Sequence, residues 1–293
     1  MIGEAFTRLG VLLLRAIALL PLPVVRRIGE SVGSLAWALA RGRRRVALVN
    51  LRLCFPDWSE ARRAEVARAH FRCFMASFFE RFIVWYAPPE RIRALVELRG
   101  MEHILAHRGR PVILLAPHFV GIDAGGVRLQ MEVGGASMYA SQKSRVLTEV
   151  MTRGRSRFAG VTMLLRNEGL RPAVRLIRQG VPFYFLPDMD LGPRDAVFVP
   201  FFGVPAATVT SAARLARLTG AAVIPFVTRM TERGYVGQAW PAWTDFPGED
   251  PVAATRRMNE FIEQRVLEMP EQYLWSHKRF KTRPPGEPSP YRS

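Results

Sequence analysis

The fold is decided by the stretch PVILLAPHFVGID, residues 111–123. It begins with an unbroken apolar run, 111–116, which is typical of a strand buried on both faces of a sheet. His118 stands just beyond this run, and Asp123 follows five positions later. The stretch therefore predicts a buried strand with two chemically useful side chains beyond its carboxyl end.

Further apolar runs follow along the chain and alternate with segments of helical periodicity. The predicted strands are 161–165, 181–186 and 222–227, and the predicted helices are 60–85, 143–157, 169–180 and 208–219. This pattern is typical of the α/β class, with a mainly parallel central sheet flanked by helices. Functional residues in such sheets gather beyond the carboxyl ends of the strands.

His118 and Asp123 have the chemistry of an acid–base pair. If Asp123 begins the helix after the strand, its carboxylate can accept a hydrogen bond from one imidazole nitrogen and fix the tautomer. The other nitrogen is then free to take a proton from a hydroxyl. The alternative is a purely structural histidine, which is the more common role of a lone histidine near a strand end.

Two further polar motifs lie near strand ends. Gly154-Arg155 belongs to a basic cluster, and an arginine fork there can hold a phosphate or a carboxylate. Asp188 and Asp190 form an Asp-x-Asp motif that could bind a divalent metal, hold a substrate-gripping arginine, or cap a loop. The sequence contains no zinc-protease, phosphate-loop or dinucleotide-binding motif. Nucleotide hydrolases and oxidoreductases are therefore disfavoured, and no cofactor is predicted.

The segment 29–33, Gly-Glu-Ser-Val-Gly, matches the Gly-x-Ser-x-Gly nucleophile motif. That motif requires a strand before the serine and a helix after it, whereas this region has helical character throughout. Ser31 is therefore not predicted to be a nucleophile.

The amino-terminal region is apolar and is followed by arginines. Residues 9–25 are apolar except for Arg15 and are interrupted by two prolines. Such a segment is marginal for a spanning helix and suits an interfacial helix equally well. We therefore expect residues 1–30 to be a helical membrane anchor or interfacial helix, and residues 31–293 to be the α/β domain.

The composition describes a strongly basic, globular protein. The 293 residues carry 42 Lys+Arg against 25 Asp+Glu, a formal net charge of +17, and 49% of them are hydrophobic. That hydrophobic content excludes a disordered chain, and the two cysteines, Cys54 and Cys73, give no disulfide framework. The charge predicts an anionic partner, and by itself does not distinguish nucleic acid, an anionic membrane and an acidic carrier protein.

Together these blocks resemble the lipid A late acyltransferases of Gram-negative bacteria, which are lauroyl or myristoyl transferases in the glycerolipid acyltransferase superfamily. The resemblance covers most of the chain. It rests on the ordered blocks Asn50-Leu51, Phe55-Pro56, His118 to Asp123, Gly154-Arg155, Pro187 to Asp190, Val197 to Gly203, Ala207-Thr208, Ala213 to Ala216 and Gln272 to Trp275. One departure is Val120-Gly121-Ile122, where the family commonly has Gly-Asn-Trp.

The resemblance implies a reaction, a location and a set of site residues. The reaction is transfer of a fatty acyl chain from an acyl carrier protein thioester to a hydroxyl of an anionic glycolipid, a lipid A precursor of the Kdo-lipid IVA type, without a covalent enzyme intermediate. The implied location is the cytoplasmic face of the cell inner membrane, with the membrane surface as a partner and no role for nucleic acid. The implied catalytic residues are His118 and Asp123, and the implied substrate-binding residues are Arg155, Asp188, Gly154 and Asp190.

Apolar residues at 111–115 and 198–202 are expected to border the acyl-chain pocket. Three alternative functions stay open. The first is the same chemistry on another glycolipid, such as a phosphatidylinositol mannoside, with acyl-CoA as donor. The second is a metal-dependent glycosyltransferase that uses Asp188 and Asp190 as ligands. The third is a non-catalytic lipid-binding protein, in which His118 has no chemical role.

Overall fold

A computed structural model describes residues 2–142 and 144–291 of the chain. Met1, Lys143 and residues 292–293 lie outside the described residues. The first position of the helix predicted at 143–157 and the outermost positions of the two predicted domains are therefore not covered.

The strands form one large sheet and one hairpin. In chain order they are β1 (Val96–Arg99), β2 (Val112–Leu115), β3 (Gly135–Tyr139), β4 (Val161–Leu165), β5 (Phe183–Phe185), β6 (Ala196–Phe201), β7 (Val204–Val209), β8 (Ala222–Thr231) and β9 (Gly234–Ala239). Within the described residues, the large sheet has the order β1-β9-β8-β2-β5-β3-β4, and β6 pairs with β7. All neighbours in the large sheet run parallel except β8 and β9. The predicted α/β class and mainly parallel sheet are confirmed.

Some helices pack against the sheet, and others pack against one another beside it. They are α1 (Ile2–Ile17), α2 (Leu22–Leu39), α3 (Arg41–Cys54), α4 (Glu60–Tyr86), α5 (Pro89–Leu95), α6 (Met101–Leu105), α7 (Ile122–Val133), α8 (Arg145–Arg155), α9 (Arg171–Arg178), α10 (Ser211–Thr219) and α11 (Pro251–Glu268). The helices predicted at 60–85, 143–157, 169–180 and 208–219 correspond to α4, α8, α9 and α10. Short 3-10 turns lie at Arg166–Glu168 and Pro270–Gln272.

The register of β2 against β5 determines where the site forms. All four residues of β2 are buried, as its unbroken apolar sequence predicts. Leu115 pairs with Phe185, and the N–H of Ala116 donates to the carbonyl of Phe185 at 2.8 Å. His118 and Asp188 each follow their paired strand residue by three positions, so parallel pairing brings them to the same edge of the sheet.

The amino-terminal helices pack onto the body through α4. A Cβ at Gly29 would lie 2.5 Å from Cα of Ala76, and one at Gly33 would lie 2.4 Å from the carbonyl oxygen of Phe71. The two glycines therefore let α2 lie directly against the backbone of α4. Ser31 is exposed in the middle of α2 and is not on a strand-to-helix turn.

The domain boundary predicted after residue 30 falls inside α2, a helix that packs along α4. Among the helices of the described residues, none combines the length and the apolarity needed to cross a bilayer.

Candidate active site

His118 lies beyond β2 and is held by Asp188. Its ring Nδ1 is 2.7 Å from Oδ1 of Asp188, and its backbone N–H donates to the same carboxylate, 3.0 Å from Oδ2. Asp188 is buried. Burial alone would raise the pKa of Asp188, but the charge of His118 and the hydrogen bonds from it lower that pKa below its ordinary value.

This pairing sets the tautomer of His118. An ionised carboxylate only accepts hydrogen bonds, so the proton of the neutral imidazole lies on Nδ1 and Nε2 keeps a free lone pair. Nε2 makes no hydrogen bond with any described residue, and the side chain is 18% exposed. His118 is thus arranged to take a proton from a group that approaches Nε2.

The loop that carries His118 is fastened from two sides. The hydroxyl of Ser77, on α4, donates to the carbonyl of Val120. The N–H of Val120 donates to the carbonyl of Gln272 at 2.9 Å, and Phe119 forms a β-bridge with Tyr273. Because both contacts hold backbone atoms, the histidine is positioned by rigid elements from distant parts of the chain.

Asp123 lies in the first turn of α7, between two arginines. Nε and Nη2 of Arg155 are 2.6 Å and 3.1 Å from its two oxygens, a bidentate pair. Nη2 of Arg81, on α4, is 3.4 Å from Oδ2. Burial alone would raise the pKa of Asp123, but the two guanidinium groups lower it to about 2. Asp123 is therefore a permanently ionised anchor for the arginines.

These charged groups line one cavity of about 440 Å³. His118, Asp123, Arg155 and Arg81 share it with an apolar wall that includes Phe74, Met138, Met151, Leu170, Leu186 and Leu191. The arrangement places a proton acceptor and cationic groups beside hydrocarbon surface. It suits a substrate that is amphipathic.

A second cavity, of about 370 Å³, adjoins the first and shares Phe74, Met189 and Leu274 with it. Its lining is largely apolar and includes His70, whose buried ring faces the backbone of Glu271 and Tyr273. Burial lowers the pKa of His70 to about 4, so the ring is neutral at pH 7. The two cavities together offer a polar compartment and an apolar one.

Comparison with known sequences identifies the family. The sequence model of the bacterial lipid A biosynthesis acyltransferases matches residues 1–282. The lipid A biosynthesis lauroyltransferase of Escherichia coli is 35% identical over 290 residues, which cover 97% of this chain and 94% of that protein. The palmitoleoyltransferase and the myristoyltransferase of the same organism are each 34% identical, over 93% and 97% of this chain and 90% and 89% of their own lengths.

The chain belongs to the bacterial lipid A biosynthesis acyltransferase family. It is an acyltransferase, as the sequence motifs predicted. The family match covers all the polar groups around the two cavities, since each lies within residues 1–282.

The structure of this acyltransferase corrects one predicted contact. Asp123 was expected to accept the hydrogen bond of the imidazole, but the carboxylate on Nδ1 of His118 belongs to Asp188. Both oxygens of Asp123 are bound by Arg155 instead. The prediction was wrong about which aspartate orients the ring, because it paired the histidine with the carboxylate that is nearest in sequence.

Two predicted substrate-binding residues have other contacts. Gly154 is buried, and a Cβ there would lie 2.4 Å from Cγ of Trp85, so this glycine allows α8 to approach α4 closely. Asp190 accepts hydrogen bonds from the backbone N–H and the hydroxyl of Thr282, at 2.6 Å and 2.8 Å. Neither residue lines the two cavities of the acyltransferase. Their contacts give both a structural role beside the cavities, and their part in substrate binding stays a prediction.

The Asp-x-Asp motif does not form a shared ligand site. Asp188 is engaged by His118, and Asp190 by Thr282. In the part of the chain that the structure describes, no group of three or more His, Cys, Asp and Glu side chains could hold a metal ion. This geometry disfavours the glycosyltransferase alternative, which needs both carboxylates directed at one cation.

Arg81 was not predicted from the sequence, and the apolar residues expected to border the acyl-chain pocket lie outside the two cavities. Glu80 and Arg81 lie between the apolar segments 78–79 and 82–85. A charged pair in such a position is a signal that the helix face is buried against partners. Residues 111–115 and 198–202 line neither cavity, because β2 is buried at the centre of the sheet and 198–202 belong to the β6–β7 hairpin.

Proposed function

We propose that this enzyme transfers a fatty acyl chain from an acyl carrier protein thioester to a hydroxyl of a lipid A precursor of the Kdo-lipid IVA type. The names of relatives that match over nearly the whole chain support the acceptor class. The single observation that carries the reaction type is the pairing of His118 with Asp188, which leaves Nε2 free beside the cavity.

The proposed mechanism is general-base acyl transfer. Nε2 of His118 takes the proton of the acceptor hydroxyl while the hydroxyl oxygen attacks the thioester carbonyl carbon. The new C–O bond forms, the C–S bond breaks, and the proton passes from the imidazolium to the leaving thiolate. Asp188 orients the ring and stabilises the imidazolium, and no covalent enzyme intermediate is needed. Asp123 contributes by fixing Arg155 in the cavity wall.

The second cavity is the proposed site for the donor acyl chain. Its largely apolar lining adjoins the compartment of His118 across Phe74, Met189 and Leu274, so a chain attached to the reacting carbon can extend into it. Filling it through Ala36→Phe should shift the preferred donor to shorter chains, measured with a series of carrier thioesters. Unchanged chain preference in a folded variant would rule this placement out.

Location at the cytoplasmic face of the inner membrane is part of the proposal. Helix α1 has 16 residues, about 24 Å at 1.5 Å per residue, against a hydrocarbon core of about 30 Å. Exposed leucines on α1 and α2, with arginines nearby, suit a helix pair that lies in the interface. The exposed leucines are Leu9, Leu12, Leu13, Leu35 and Leu39.

Vesicle flotation tests this part of the proposal. The protein should float with vesicles that contain phosphatidylglycerol, and the double variant Leu12→Glu/Leu13→Glu should lose this binding. Leu267→Glu is the matched control, because Leu267 is equally exposed but lies on α11. Equal binding by both variants would contradict an interfacial role for α1.

The central experiment is mass spectrometry of the product after purified enzyme is mixed with carrier thioester and a tetra-acylated, Kdo-bearing lipid A precursor. We expect a mass gain of one acyl chain that His118→Ala abolishes. Parallel reactions with acyl-CoA and with a phosphatidylinositol mannoside test the other donor and acceptor. A gain only in those reactions would replace the proposed substrates and leave the chemistry in place.

A further inference from the structure

Arg81 is a largely buried arginine for which no hydrogen bond to another described residue is found. Its side chain is 20% exposed, its Nε is buried without a partner, and it donates no hydrogen bond to any described residue. Its polar contact is the 3.4 Å approach to Asp123. Its guanidinium also lies over the rings of Phe78 and Trp85, 5.3 Å and 5.7 Å from their centroids. Buried polar groups are nearly always hydrogen-bonded, so this exception requires an explanation.

Nε of Arg128, Arg265 and Arg279 is also buried without a partner among the described residues, although other donors of the interior arginines are engaged. Arg26 binds both oxygens of Glu80, at 2.7 Å and 3.0 Å. Arg279 donates to the carbonyl of Ala207 at 2.9 Å and to the hydroxyl of Thr208 at 2.7 Å. Arg81 differs from these arginines in lining the cavity of His118.

The cavity also carries excess positive charge. Asp123 already accepts two hydrogen bonds from Arg155, so a single carboxylate faces two guanidinium groups. Arg166, which is exposed, lines the same cavity and adds a further cation. The three arginines and Asp123 together carry a net charge of about +2. This charge is opposite in sign and similar in size to that of a phosphate monoester near pH 7.

We propose that Arg81 binds a phosphate group of a substrate, which it meets in the cavity beside the Asp123–Arg155 pair. This inference rests on the proposed function, since both proposed substrates carry phosphate: the glycolipid acceptor on its sugars, and the carrier protein on its phosphopantetheine arm. Arginine suits this task because its planar fork donates to two phosphate oxygens at once.

Thermal unfolding distinguishes binding from a structural role. Arg81→Met leaves Asp123 bound by both donors of Arg155, whereas Arg26→Met removes the guanidinium that binds both oxygens of the buried Glu80. Arg81→Met should therefore keep or raise the Tm, and the matched control Arg26→Met should lower it by several degrees. A drop for Arg81→Met equal to that of the control would overturn the proposal.

Inorganic phosphate is the probe for the site itself. At constant ionic strength, phosphate should raise the Tm of the wild type relative to chloride, and should not raise that of Arg81→Met. Arg81→Lys, which keeps the charge and loses the fork, should give an intermediate response. An equal response by wild type and Arg81→Met, or none in the wild type, would overturn the assignment.

Steady-state kinetics identifies the substrate that carries the phosphate. Loss of a charge-assisted hydrogen bond should raise one KM by about 10- to 100-fold with kcat little changed. A rise in the KM of the glycolipid assigns the acceptor phosphate, and a rise in that of the carrier thioester assigns phosphopantetheine. A fall in kcat with both KM values unchanged would refute phosphate binding and assign Arg81 to the developing oxyanion.

The two proposals can fail separately. If the wild type transfers no acyl group to the lipid A precursor, the proposed function fails. The phosphate-dependent Tm of wild type and Arg81→Met still decides the role of Arg81 in that case.

Discussion

Replacing Asp188 by Asn should cut acyl-transfer turnover while leaving the enzyme folded. Both oxygens of Asp188 face the backbone N–H of His118, at 3.2 Å and 3.0 Å, and Oδ1 also faces Nδ1 at 2.7 Å. An amide has only one acceptor oxygen. If that oxygen takes the place of Oδ1, the amide NH₂ points at the backbone N–H. If it takes the place of Oδ2, the NH₂ points at Nδ1 and forces the proton onto Nε2.

The first orientation weakens the base and the second removes it. In the first, two donors oppose each other and the ring loses its anionic partner, and in the second, Nε2 no longer has a lone pair. General-base catalysis is worth about 10²- to 10⁴-fold, so kcat should fall by that factor, or about 2.7–5.5 kcal/mol in activation free energy. The assay is the initial rate of product formation from carrier thioester and lipid A precursor.

The matched control is Asp190→Asn, two residues further along the same loop. Asp190 contacts Thr282 and not His118, so this variant should lose stability but keep kcat within about threefold, which is below 1 kcal/mol. Retention of more than about a third of the wild-type kcat by Asp188→Asn, or an equal loss of kcat in both variants, would refute this role of Asp188.

Three further results are expected. Asp123→Asn leaves two partly buried arginines without their carboxylate and should cost about 3 kcal/mol in urea unfolding; a loss below about 1 kcal/mol would contradict the cluster. Gly154→Ala, whose Cβ would lie 2.4 Å from Trp85, should lower the free energy of unfolding by about 1–3 kcal/mol in the same assay. Gly10→Ala, whose Cβ would have no atom within 4 Å, should raise it by about 0.5–1 kcal/mol. The reverse order would refute the close packing at Gly154. The pKa of His70 is about 4 in the folded protein, against an ordinary 6.5. Its contribution to stability is therefore complete above pH 6.5 and is lost as the pH falls towards 4, about 3 kcal/mol in all. His70→Leu should abolish that part of the acid sensitivity, and an unchanged pH profile of stability would count against a neutral buried ring.

Local sequence is sufficient to predict the sheet and the long helix. The apolar run that becomes β2 has no polar residue for water to meet, so it belongs at the centre of a sheet covered on both faces. α4 is predictable in the same way, from its length and from Ser59, which caps it by accepting from the N–H of Arg62 at 3.2 Å. These elements depend on neighbours within a few residues.

The pairing of side chains in the site depends on tertiary contacts that the spacing of residues in the sequence does not reveal. Asp188 reaches His118 only because β5 lies beside β2 in the sheet, although the two residues are far apart in the chain. Arg81 reaches Asp123 only because α4 packs against α7 and α8. A rule based on nearby sequence selects Asp123 for the histidine, and only the strand order corrects it.

The closing segment of the chain has a consequence for biosynthesis. Gln272 and Tyr273 fasten the loop of His118, and Thr282 fastens the loop of Asp188 through Asp190. The ribosome makes the histidine and the aspartate long before it makes these fasteners. A prematurely terminated polypeptide would therefore carry every reactive group and lack the contacts that hold them in place.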